Sequence, residues 1–288
     1  MSKAKVLFAA LAATSLSSAA FAADLPSRRV APAYVAPAPM FTWTGLYVGV
    51  NLGGVITNTS YGATVGLPYT ANSHLTPADM MVVSAGGTQK IGNTSFAGGG
   101  QIGYNWQFGS MVVGLEADVG YAGGGSAQNS FGFINGTGSG PGVFYPYALS
   151  QKMGGGLAGT VRGRLGFALD RALLYATGGL AWRSGSFSAT YWDALFPTIG
   201  GASGGGSNLG WTIGAGVEYA LTNNWSIKGE YLYADYGSRT VAGSMVNMFN
   251  RNFSNTTAHT TRVQTHTFRA GLNYHFGWGA PAAVVAKY

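Results

Sequence analysis

Eight stretches of this chain carry apolar residues at every second position, and the connections between them alternate short and long without exception. In the first stretch Thr44, Leu46, Val48, Val50 and Leu52 share one parity, while Gly45, Tyr47, Gly49, Asn51 and Gly53 share the other. A period of two is that of a β-strand. The alternation recurs over residues 96–106, 111–121, 157–167, 174–183, 211–219, 225–233 and 266–276. Short links occupy 107–110, 168–171 and 220–224. The connections 54–94, 122–151, 184–207 and 237–261 are long and rich in Gly, Ser, Asn and Thr. Loops beyond about 15 residues count against a water-soluble domain. Four of them at one end of a sheet are instead the layout of an outer-membrane barrel, with short periplasmic turns and long surface loops. The expectation is an all-β fold: one eight-stranded antiparallel up-and-down transmembrane β-barrel over residues 41–276.

Composition points the same way. The chain holds 47 glycines in 288 residues, no cysteine and only 9% charged residues, yet no run of about 18 apolar residues follows the N-terminal segment. Each interior glycine would cost a helix about 1 kcal/mol against alanine, whereas sheets accept glycine at bends and close approaches. Without cysteine there is no disulfide framework. The length could hold two domains, but the pattern never changes along the chain.

Met1–Ala22 has the parts of a secretory signal peptide: Lys3 and Lys5, the apolar stretch Val6–Ala13, and the small–x–small site Ala20-Phe21-Ala22. It implies export through the Sec pathway and cleavage. Removing Lys3 and Lys5 takes the net charge from +7 to +5. No basic run remains to bind nucleic acid. Residues 23–40, with prolines at 26, 32, 36 and 38, read as an extended periplasmic linker. Residues 277–288 form a short tail without an assigned role.

The outward parity carries Trp106, Phe167, Tyr219, Trp225, Tyr274 and Phe276 near the short turns, and Tyr121, Trp182, Trp211 and Tyr233 near the long connections. Two aromatic belts at opposite strand ends suit the two membrane interfaces. The inward parity carries Glu116, Asp118, Arg162, Arg164, Glu218, Lys228, Glu230 and Arg269. An eight-stranded barrel has an interior just filled by side chains, so these charges must be paired or cost several kcal/mol each. They read as a structural ion network, with a polar path for small solutes as the alternative.

Catalytic and metal chemistry is sparse. The four histidines show no metal-ligand spacing. Asp79 with His74, or Asp193 alone, is too little for a hydrolytic site, so no enzyme is expected. His74, with Met80 and Met81 nearby, and His259, with Met245 and Met248, fall in long connections where such residues could ligate a haem iron. No cofactor is required by anything else in the sequence.

Several segments carry a family resemblance. They include Trp43-Thr-Gly-Leu-Tyr-Val-Gly-Val-Asn-Leu-Gly-Gly54, Phe96-Ala-Gly-Gly-Gly-Gln-Ile-Gly-Tyr-Asn-Trp106, Gly163-Arg-Leu-Gly-Phe167 and Leu174-Tyr-Ala-Thr-Gly-Gly-Leu-Ala181. Gly210-Trp-Thr-Ile-Gly-Ala-Gly-Val-Glu-Tyr219, Trp225-Ser-Ile-Lys-Gly-Glu-Tyr-Leu-Tyr233 and Phe268-Arg-Ala-Gly-Leu-Asn-Tyr-His-Phe276 complete the set. Together they resemble the porin-like outer-membrane proteins of alphaproteobacteria, eight-stranded relatives of the opacity proteins and surface antigens. The resemblance implies a cell outer-membrane location and an envelope-supporting, surface-exposed role, with haem binding in some members. It also implies outer-membrane lipid, lipopolysaccharide and the barrel-assembly machinery as partners, and leaves monomer against small homo-oligomer open. Members usually end at the aromatic of the last strand, whereas this chain continues past Phe276. Three functions follow as expectations: a surface and structural protein, a narrow pore, and a haem receptor on 54–94 and 237–261.

Overall fold

Alternating parity does fold into strands here, and they close on themselves. The computed structural model describes residues 41–277 except 68–71, 74, 137–139, 141 and 195–196. The expected signal peptide, proline-rich linker and nearly all of the tail lie outside the described residues. In chain order the elements are β1 (Gly45–Gly66), α1 (Pro77–Gly86), β2 (Gln89–Phe108), β3 (Met111–Ala122), β4 (Ser126–Ile134) and β5 (Tyr145–Met153). After them come β6 (Gly156–Leu169), β7 (Ala172–Asp193), β8 (Thr198–Ala220), β9 (Trp225–Asn247) and β10 (Ser254–His275). Antiparallel ladders join β1-β2-β3-β6-β7-β8-β9-β10, and β10 returns to β1, a closed ring of eight. The remaining hairpin, β4–β5, pairs through β5 with the upper part of β7.

The register fixes the slant. Cross-strand partners followed once around the ring from Val48 pass Ile102, Ala117, Val161, Leu180, Trp211, Asp235 and Gln264. They arrive at Asn58, ten residues further along β1. That stagger over eight strands inclines them by roughly 40° to the barrel axis. From Met111 to Tyr121 on β3 the outward face is almost wholly exposed and apolar. At about 3.3 Å per residue this band is roughly 25 Å tall, the thickness of an outer-membrane hydrocarbon core. Of the belt aromatics, Trp106, Phe167, Tyr219 and Trp225 near the short turns and Tyr121 and Trp211 at the other end are exposed, while Tyr274, Phe276, Trp182 and Tyr233 are half-buried.

The long connections are not loops over most of their length. Above the outer belt β1, β2, β7, β8, β9 and β10 simply continue, and β7 runs ten residues from Trp182 to Trp192, lifting the wall about another 25 Å. Residues 122–151 contain β4 and most of β5, and 54–94 contains α1. The parity signal fades because the outer face of this part meets water. Apolar and polar residues no longer sort by side, and a Gly/Ser/Thr/Asn strand reads as coil. The short turns fall where the sequence puts them. In one of them Asp170 adopts φ 52°, a left-handed conformation that Asp tolerates.

Glycine sets the inner diameter. A Cβ on Gly103 would sit 2.4 Å from the Tyr47 ring, and one on Gly216 would sit 2.5 Å from the Tyr175 hydroxyl. Small residues on one strand thus make room for large ones on its neighbour.

Candidate functional site

The barrel interior is filled in layers. At the periplasmic end Trp43, fully buried, packs with Val112, Ala168, Leu173, Tyr175 and Ala220 beneath Phe41. Its indole Nε1 donates to the Asp170 carbonyl at 3.3 Å, tying the N-terminal approach to the β6–β7 turn.

Above this plug lie all eight charges assigned to the lumen, four acidic and four basic, in one connected cluster. The Arg162 guanidinium pairs with Glu116, with Asp118 at 2.8 Å and with Glu230 at 3.1 Å. Arg269 bridges Glu230 at 2.6 Å and Asp118 at 3.2 Å. The Lys228 ammonium reaches across the lumen to Glu116 at 2.9 Å rather than to the adjoining Glu218. Arg164 pairs with Glu218, its Cζ 3.6 Å above the Tyr175 ring centroid. Neutral donors complete the shell: Tyr47 to Glu116 at 2.7 Å, Thr160 to Asp118 at 2.6 Å, Tyr175 to Glu230 at 3.0 Å and Asn273 to Glu218 at 2.7 Å. These four share the inward parity of the charges and were as visible in the sequence, but the charge signs drew attention past them.

Over the network sits Tyr236 with Ala181, Ala234 and Val263, then Tyr61 with Phe187, Ala189 and Ala202. The outer mouth is capped by α1, whose Met80 and Val83, with Leu75 just before it, pack on Ala63, Val65, Ile134, Tyr147, Leu149, Tyr191 and Met245. The helix begins with a reciprocal capping box between Thr76 and Asp79, Pro77 taking its first turn. Asp79 also accepts from the Asn135 and Gly136 amides at 2.7 and 2.8 Å, pinning α1 to the end of β4. Burial alone would raise this carboxyl, but hydrogen bonds from Thr76, Asn135 and Gly136 hold it below the ordinary carboxylate range.

Of the two histidines considered for haem, His74 lies outside the described residues. His259 is in strand rather than loop and faces inward, its Nδ1 3.1 Å from Gln151 Oε1 and its ring against Phe187. Burial pushes its imidazole below the usual value. Met245 shares the inner face with His259 but packs in the cap core, level with Asn255, and Met248 is exposed.

A family model described as an outer membrane protein beta-barrel domain matches residues 8–276. The chain belongs to that family. Among relatives of this outer-membrane barrel, a 31 kDa outer-membrane immunogenic protein of Brucella melitensis is 33% identical over 94% of this chain and 99% of its own length. A 25 kDa outer-membrane immunogenic protein of the same species is 29% identical over 90% and 92%. A 22 kDa outer membrane protein of Rhizobium leguminosarum is 35% identical over 49% of this chain and 54% of its own. The barrel is an integral surface and structural protein of the outer membrane. The relatives' names describe outer-membrane proteins and immunogens, not enzymes.

Proposed function

We propose that the barrel is a closed, non-catalytic platform that holds an ordered, helix-capped rim above the outer membrane without conducting solutes. One observation carries this reading: the eight lumen charges neutralise one another four against four, with Arg162, Glu116, Glu218, Lys228 and Glu230 all nearly inaccessible. A water path would leave such groups hydrated and unpaired, whereas here the pairs themselves occupy the lumen. The aromatic plug below and α1 above seal the same axis. Asp79, a carboxylate under the rim, is committed to four backbone and side-chain donors and so gives catalysis little support.

The test is single-channel recording of the protein in a planar bilayer, with insertion verified by protection of the membrane band from protease. The expected trace is silent, and it stays silent in Glu116→Gln. Discrete, reproducible openings in the unaltered protein would refute the closed reading and favour a narrow pore through the network.

A further inference from the structure

The ring has one incomplete ladder. β8 and β9 pair over Trp211–Ala220 and again over Thr198–Gly201, but 202–210 of β8 and 236–243 of β9 make no ladder with each other. Both strands keep their other neighbours throughout, β8 with β7 and β9 with β10. The cause is local. Gly237, at φ 69°, donates its N–H to Asp235 Oδ1 at 2.9 Å, and the register of β9 on β10 shifts there. This is a bulge, which bends its strand. Further along the split β8 offers Gly204-Gly205-Gly206, whose missing side chains leave room that Val241 and Arg239 of β9 enter. The split begins beside Trp211 and Tyr233, in the aromatic belt that marks the outer headgroup level.

Two guanidinium groups line it. Arg183, directly after the belt residue Trp182, is 3% exposed; its Nη2 donates to the Gly123 and Gly124 carbonyls at 3.3 and 3.2 Å. Its Nε and Nη1 have no partner, and it makes no ion pair with any carboxylate among the described residues. Every cation of the lumen network, by contrast, holds at least one acid. From the other side Arg239 reaches in and donates to the Gly205 carbonyl at 2.6 Å, its guanidinium lying against Gly206. Asn208 completes the polar lining, and Met153, Phe187 and Val263 make the apolar wall. Guanidinium forks bind phosphate and carboxylate oxygens bidentately. Two forks with an amide offer more donors than the two oxygens of a carboxylate use.

We propose that the β8–β9 split is a phosphate-binding site, entered sideways from the outer leaflet, in which Arg183 and Arg239 grip a phosphate carried by a membrane glycolipid. Arg239 exchanges the Gly205 carbonyl for a phosphate oxygen, and the bare edge of Arg183 takes another. The glycine run lets the headgroup pass between the strands while the acyl chains stay in the bilayer.

The test uses the detergent-extracted protein and native mass spectrometry, with bis-phosphorylated lipid A, dephosphorylated lipid A and inorganic phosphate as probes. Retention of the phosphorylated lipid at least tenfold above the dephosphorylated form is expected, falling at least tenfold in Arg239→Gln and further in Arg183→Met. Arg239 is half-exposed, so its variant stays informative even where Arg183→Met fails to fold. A Cβ at Gly204 would meet Val241 Cγ2 at 3.2 Å, and the chain has no cysteine. The pair Gly204→Cys/Val241→Cys therefore gives a clean staple across the split. Oxidation should block lipid retention and reduction restore it. Equal retention of both lipid forms, or no effect of Arg239→Gln, overturns the site. Arginine-dependent binding of inorganic phosphate alone, or indifference to the staple, overturns the lateral lipid route.

Discussion

Arg164→Met and Arg162→Met remove similar side chains from the same lumen and should differ clearly in cost. Removing one partner of a buried ion pair costs about 3–5 kcal/mol, because the other charge is left uncompensated. After Arg162→Met each orphaned carboxylate keeps a second cation. Glu116 retains Lys228 at 2.9 Å, and Arg269 holds Glu230 at 2.6 Å and Asp118 at 3.2 Å. The loss should fall at the low end, about 3 kcal/mol. After Arg164→Met, Glu218 has neither arginine nor lysine; only His275 at 3.3 Å and the neutral Ser226 and Asn273 remain. The contact with the Tyr175 ring goes as well. That loss should approach about 5 kcal/mol. The gap of roughly 2 kcal/mol is about 30-fold in the unfolding equilibrium. Urea unfolding in lipid micelles, followed by tryptophan fluorescence, measures both. The double variant Arg164→Met/Glu218→Met should recover most of the loss, since replacing a whole buried pair by apolar groups is often close to neutral. Equal losses, a reversed order, or two losses under about 1 kcal/mol would refute the assignment of partners.

Three further outcomes follow from packing and protonation. Gly103→Val drives side-chain atoms into the Tyr47 ring and should cost about 1–3 kcal/mol by overpacking, read from the same urea midpoint; an unchanged midpoint would contradict the close approach. Asp79→Asn should loosen α1 by about 1 kcal/mol, seen as faster protease cleavage within 77–88. Because the folded Asp79 carboxyl is depressed, its contribution is whole above its ordinary value near ~3.9 and is lost as pH falls through the lowered one. Acid should therefore release α1 from the parent, and Asp79→Asn should flatten that dependence. His259 is also depressed, so the opened state takes up its proton first as pH falls below ~6.5, and the upper wall weakens through the lowered value. Amide exchange over 255–262 should rise in that window and lose its pH dependence in His259→Gln.

The lower half of the barrel was legible because two solvents sort its residues. Lipid outside demands Leu115, Val161 and Ile213, while the lumen takes Glu116, Arg162 and Thr212, so parity alone assigns the faces. The pairings were less legible. Neighbouring strands suggest that Lys228 serves Glu218, but Lys228 reaches Glu116 across the lumen, a contact that needs the closed ring and its ten-residue stagger. Above the membrane the sorting disappears and strands pass for loops. One signal there was readable: Thr76-Pro77-Ala78-Asp79 is a helix start by composition and spacing, hidden only by its place in a long polar connection. The split between β8 and β9 leaves no sequence trace beyond Gly204–Gly206, because a missing ladder is a property of two strands together.

The change of filling along the axis follows from what surrounds the wall. Below the outer belt the hydrophobic effect cannot drive side chains inward, because the hydrocarbon outside is as apolar as any core. Specificity there falls to directional contacts, and a lumen of mutually paired Glu, Asp, Arg and Lys supplies them. Above the belt the outside is water, so burying Leu75, Val83, Tyr191 and Met245 is favourable as in a soluble domain, and α1 can be held by packing plus one capped carboxylate. Arg183 lies where the two regimes meet. It is too high to share the acids of the network and too low to be solvated by the medium, which is why an anion from the headgroup layer is the partner its position leaves open.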